Sequence, residues 1–99
     1  MLYIFAKSPL QTRDLEHCAE LKKSTDSKVL LIEDAVIGVK KGVTTENIIH
    51  KLQDDGITVY ALKTDLEARA IKNIVENITV IDYEGFVDLV VENKLVSCM

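Results

Sequence analysis

The chain has no tryptophan, one proline, four glycines and two cysteines among its 99 residues. Two cysteines, Cys18 and Cys98, cannot build a disulfide framework, and no C-x-x-C or paired Cys/His spacing suggests a zinc site. A reduced, cytoplasmic setting is the expectation, with no metal. Scarce proline and glycine exclude a collagen or a low-complexity linker. Basic charge is also short: 12 Lys+Arg stand against 16 Asp+Glu, a net charge of -4. The sequence-independent attraction that drives nucleic-acid binding is therefore missing, which argues against direct contact with DNA or RNA. No apolar run approaches the ~20 residues that span a bilayer. Met1 to Ala6 runs straight into Lys7 without a charged n-region or a small-residue cleavage site, so it reads as a first strand.

What is present is a globular composition, 47% hydrophobic and 28% charged. A chain of this length suits one domain, residues 1–99, able to bury roughly two-thirds of its extended surface. Val- and Ile-rich runs recur at Leu2 to Ala6, Val29 to Ile32, Ile57 to Leu62 and Ile78 to Ile81, with helical patterns between them. Strands apolar on both faces require helices on both sides, because βαβ crossovers place them there. The expected fold is α/β: a small three-layer α/β/α sandwich with a mainly parallel sheet of four to five strands.

Helix starts carry their own marks. Ser8-Pro9-Leu10-Gln11 has an N-cap serine, a first-turn proline and a capping-box glutamine, opening a helix that runs to about Lys23. Thr64-Asp65-Leu66-Glu67 repeats the capping-box pattern, and Asp82 is placed to cap a helix carrying Phe86, Val87, Leu89 and Val90. Another helix is expected from Glu46 to Gln53, stopped by Asp54-Asp55-Gly56. A short turn is expected after Asp34, and the tail from Lys94 to Met99 reads as an edge strand.

In open α/β sheets ligands collect outside the carboxyl ends of the strands, here Lys7-Ser8-Pro9, Glu33-Asp34-Ala35, Lys63-Thr64-Asp65 and Asp82-Tyr83. None contains a G-x-G-x-x-G turn, a Walker lysine loop, an H-E-x-x-H or a G-x-S-x-G elbow, so no cofactor or hydrolytic chemistry is indicated. Glu33 and Asp34 are adjacent at a strand end and diverge, which favours a structural role over an acid/base pair. Arg69 lies four residues beyond Asp65 and can pair with it, or hold an anion or a partner's carboxylate. His50 reads as a rim histidine. His17 and Cys18 are adjacent on a helix and diverge by ~100°, so no dyad follows. Cys18 shares a face with Leu15 and Ala19, which favours a small buried hydrophobe; the sharper alternative is a thiolate that carries sulfur as a persulfide. Cys98 lacks the fixed electropositive surroundings of a reactive thiol.

Three stretches, in order and at their spacing, carry a family likeness: Val29 to Val36 (VLLIEDAV), Val59 to Arg69 (VYALKTDLEAR) and Ile81 to Leu89 (IDYEGFVDL). With Ser8-Pro9 and the overall length, they resemble the DsrH/TusB family of sulfur-relay proteins. The resemblance implies a DsrE-like fold and a cytoplasmic hetero-oligomer with TusC/TusD-like or DsrE/DsrF-like paralogues, with a TusE/DsrC-like protein as sulfur acceptor. It implies persulfide transfer, towards 2-thiolation of the tRNA wobble uridine in TusB-type members or within dissimilatory sulfur metabolism in DsrH-type members. The principal persulfide cysteine of such assemblies sits on the TusD/DsrE partner, making this subunit a non-catalytic member. Cys18 falls where DsrH-type proteins carry a first-helix cysteine, which tilts the branch towards DsrH and marks it as the candidate catalytic residue. Ala35 and Ala70 replace glycines usual in the family, so any positive-φ turn at those sites is expected to be relaxed or altered. The tail lacks the family's common tryptophan. The alternatives are a stand-alone, homo-oligomeric sulfur carrier acting through Cys18, and a small regulatory or ligand-binding α/β domain unrelated to sulfur.

Overall fold

The computed structural model describes residues 2–6, 28–42, 45–93 and 95–97. Strands β1 (Leu2–Phe5), β2 (Lys28–Leu31), β3 (Thr58–Leu62), β4 (Thr79–Ile81) and β5 (Leu95–Ser97) alternate with helical segments. These are a 3-10 helix (Glu33–Val39), α1 (Glu46–Asp54), α2 (Lys63–Ala68) and α3 (Tyr83–Glu92). The strands form one sheet in the order β4-β3-β2-β1-β5, every pair parallel. The expected edge strand at the tail is β5, beside β1. The expected helix from Ser8 to Lys23 lies outside the described residues.

This strand order assigns the helices to faces. From β2 to β4 the chain steps steadily in one direction, so right-handed crossovers put the 3-10 helix, α1 and α2 on one face. Only the β4 to β5 return runs the other way, which sends α3 to the opposite face. The hydrogen bonding agrees: Lys28 Nζ, on the same side of the sheet as Leu2, donates to Asn93 Oδ1 at the end of α3 (3.2 Å).

Side chains alternate between the faces along each strand. Phe5, Val29, Leu31, Val59 and Ala61 point to the first face, where they pack with Ala35, Val36 and Val39 of the 3-10 helix, Ile49 and Leu52 of α1, and Leu66 of α2. Ile49 and Leu52 are the buried residues of α1, and Gly56, at φ 82°, occupies the left-handed turn that takes the chain from α1 into β3. Thr45 is the buried polar residue of this region, its hydroxyl donating to Gly38 O at 3.1 Å. Leu2 and Leu30 point to the second face and are fully buried.

One capping expectation fails. α2 begins at Lys63 with Leu62 at the N-cap and no side-chain cap, so Thr64 sits inside the first turn rather than before it. β3 runs into α2 without a spacer, and the strand end itself sets the entry angle. The Asp82 cap is present, its carboxylate accepting Gly85 N–H at 2.8 Å. Gly85 also lets the helix start close to β4, since a Cβ there would meet Ile81 Cβ at 3.1 Å.

Candidate functional site

The carboxyl ends of β2 and β3 bring Glu33, Asp34, Asp65 and Arg69 together. β2 leads through Ile32 into Glu33, a non-glycine residue at φ 50°. A long-range contact accompanies this left-handed conformation: Glu33 N–H donates to Asp65 Oδ2 at 2.7 Å, tying the start of the 3-10 helix to α2. Ala35 N–H reaches back to Ala6 O at 3.2 Å, which fastens the same turn to the end of β1.

Arg69 completes the cluster by a route the sequence does not display. Its Nε and Nη2 both donate to Asp34 Oδ1, at 3.1 and 2.9 Å. The helical partner, Asp65, is farther, with Nη1 at 3.7 Å from Oδ1, and Nη1 donates instead to Asp65 O at 3.3 Å. The i, i+4 spacing thus named the weaker partner, and the stronger one lies 35 residues away in sequence. Nothing local in the sequence links Asp34 to Arg69. Asp65 accepts a backbone N–H, and Asp34 and Arg69 neutralise each other. These contacts brace two strand ends, Glu33 through its backbone N–H with its side chain exposed and Asp34 through its carboxylate, in keeping with the structural role expected of Glu33-Asp34.

The departures from family glycines resolve differently. Ala35 lies within the 3-10 helix and needs no positive φ, whereas Ala70 holds φ 52°. The left-handed turn after α2 is therefore kept, not relaxed, and an alanine carries its steric cost. His50 is an exposed rim histidine, as its position on α1 implied, with Nε2 at 3.3 Å from Glu46 Oε2. Glu46 also accepts Gly42 N–H at 2.9 Å. That backbone bond, then the His50 contact, holds the Glu46 carboxyl below its ordinary range.

Cys18, His17 and Cys98 lie outside the described residues. Among the described residues no group of His, Cys, Asp and Glu has the arrangement of a metal site. No helix there is long and apolar enough to cross a membrane.

α3 presents the other feature of functional interest. Phe86, Leu89 and Val90 are half-buried, and no residue of this helix is fully buried. Tyr83, Val87 and Val91 are 66%, 41% and 78% exposed. At i, i+4 and i+8 they form one apolar stripe. Glu84, Asp88 and Glu92, also exposed, form the adjacent stripe one residue on.

The fold has close relatives among solved structures. The E. coli ychN protein superposes with a TM-score of 0.78 over 97% of both chains at 15% identity. A protein of unknown function from Methanobacterium thermoautotrophicum gives 0.73 over 97% of this chain and 95% of its own, at 13% identity. At these identities the likeness speaks for the α/β, DsrE-like fold alone. Sequence comparison goes further. Protein TusB of Buchnera aphidicola is 36% identical over 95 residues, 95% of each chain. Protein TusB of Pectobacterium parmentieri is 36% identical over 94 residues, 94% of each chain. The family model described as DsrH like protein matches residues 7–96. With the family model spanning strand-end cluster and α3 alike, and relatives alike over nearly their whole length, the chain belongs to the DsrH/TusB family.

Proposed function

We propose that this protein is a subunit of a sulfur-relay complex that serves tRNA modification, supporting persulfide transfer towards 2-thiolation of the wobble uridine. The observation that carries this reading is the full-length similarity to proteins named TusB. It favours the TusB-like route over the DsrH-like one to which Cys18 inclined the sequence. The geometry is compatible with a supporting role: the strand-end cluster braces β2 against α2, and α3 turns an apolar stripe outward. TusC/TusD-like paralogues are the proposed partners, a TusE/DsrC-like protein the proposed acceptor, and the cytoplasm the proposed setting. In this scheme the acidic chain reaches tRNA through its partners rather than by direct contact.

The test is replacement. The chain is expressed in a bacterium lacking its own TusB-type subunit, together with the TusC/TusD-like paralogues encoded in the source genome. Digested tRNA is then assayed for 2-thiouridine by mass spectrometry. Restored thiolation, with a stable complex on native mass spectrometry, is the expected result. A lone monomer and unthiolated tRNA overturn the proposal. Cys18→Ser decides the role of the thiol: unchanged thiolation makes this a non-catalytic subunit, while loss of thiolation with the complex intact makes Cys18 a carrier.

A further inference from the structure

We infer that the outer face of α3 is a docking surface for a different protein whose contact patch is apolar and framed by Lys or Arg side chains. This rests on the subunit reading above and specifies which surface is used and what chemistry it meets.

The argument begins with the helix's own energetics. α3 has ten residues, including Gly85 and the β-branched Val87, Val90 and Val91. Helices this short are marginal in isolation, and glycine and β-branched residues lower their propensity further. Burial would ordinarily compensate, yet no residue of α3 is buried, in contrast to Ile49 and Leu52 of α1. Within the chain the helix is held by the Asp82 cap, the half-buried Phe86, Leu89 and Val90, and the Lys28–Asn93 hydrogen bond. Its Tyr83, Val87 and Val91 stripe is exposed among the described residues, with Tyr83 touching only the Phe86 ring of the same helix (5.9 Å between centroids).

Charge selects the occupant. From Asn73 to Asn93 the sequence has Glu76, Asp82, Glu84, Asp88 and Glu92 and no Lys, Arg or His. Glu84, Asp88 and Glu92 run alongside the apolar stripe, so whatever covers Val87 and Val91 meets this row as well. A second copy docked antiparallel through the same face would set acidic row against acidic row, and one docked in parallel would offer that row no basic residue of α3. Anionic lipid and RNA are disfavoured by the same charges. An apolar patch rimmed by basic residues satisfies both stripes: burial supplies affinity, and the charges supply steering and orientation.

The experiment uses the full chain with its TusC/TusD-like paralogues, read by native mass spectrometry and by titration at low and high salt. Two variants are compared with wild type: Val87→Asp/Val91→Asp, and Glu84→Lys/Asp88→Lys/Glu92→Lys. Far-UV circular dichroism checks that each retains the fold, as the exposure of these positions leads one to expect. The apolar pair should weaken assembly by about tenfold or more, since central apolar contacts dominate interfaces. The charge reversal should slow association and invert or abolish its salt dependence. If wild type and both folded variants assemble equally well, the subunit reading stands and the α3 assignment is overturned. If wild type forms no complex, both are overturned. Self-association of the chain that the valine variant abolishes also overturns the heterologous assignment. Should the valine variant lose its fold, the charge reversal alone decides: unchanged association and salt dependence reject the surface.

Discussion

The two faces of the sheet are finished to different degrees. On one, the 3-10 helix, α1 and α2 close over Val29, Leu31, Val59 and Ala61, and Val36, Val39, Ile49 and Leu52 are fully buried. On the other, Leu2 and Leu30 are equally buried, but α3 contributes no buried residue and leaves Tyr83, Val87 and Val91 outside. The first face stabilises the chain by its own packing. The second stabilises the sheet centre and holds apolar surface in reserve. The closed core and the exposed apolar stripe thus lie on opposite sides of one small sheet.

The sharpest way to break this comparison is to truncate matched apolar residues on the two sides. Leu52→Ala should lose about 2–5 kcal/mol by leaving a cavity in a closed core. Val91→Ala, at an exposed position, should stay within about 0.5 kcal/mol. Urea denaturation measures both, and comparable losses would deny the division. Asp82→Ala comes next, at about 1 kcal/mol for a lost helix cap. Hydrogen exchange should then quicken in α3 while α1 keeps its protection.

Ala70→Gly works in the opposite direction. A left-handed alanine costs about 1–2 kcal/mol, and the greater unfolded-state freedom of glycine offsets about 0.4–1 of that. A net gain of roughly 0.5–1 kcal/mol in denaturation is expected. The smallest effect belongs to Glu46, on the closed side. Its native pKa is depressed, so its contribution is present above the ordinary value of 4.5 and is lost as pH falls through the lower native value. Glu46→Gln should lower stability slightly at neutral pH and converge with wild type in acid, which flattens the acid limb of the stability profile.

Much of the architecture is legible along the chain. Val- and Ile-rich runs mark β2, β3 and β4 to within a residue or so: β2 and β3 are apolar because they are largely buried, whereas the edge strand β4 is exposed at Thr79 and Val80 and is marked by its β-branched residues alone. Asp82 announces α3 because its capping bond spans only to Gly85. Thr64 misleads because the same local pattern is overruled where β3 enters α2 directly. The strand-end cluster is half legible: Asp65 and Arg69 share a helix, but Asp34 joins them only when parallel pairing sets β2 beside β3.

The sequence by itself determined the alternation of strands and helices, the acidic balance and the family likeness. All of these reside in local pattern, composition or order along the chain. Tertiary structure decided that Arg69 binds Asp34, that Glu33 and Ala70 adopt left-handed backbone, and that α3 turns Tyr83, Val87 and Val91 outward. Those outcomes depend on which segments the parallel sheet makes neighbours and on the single reversed crossover, and neither is written in any one stretch of residues.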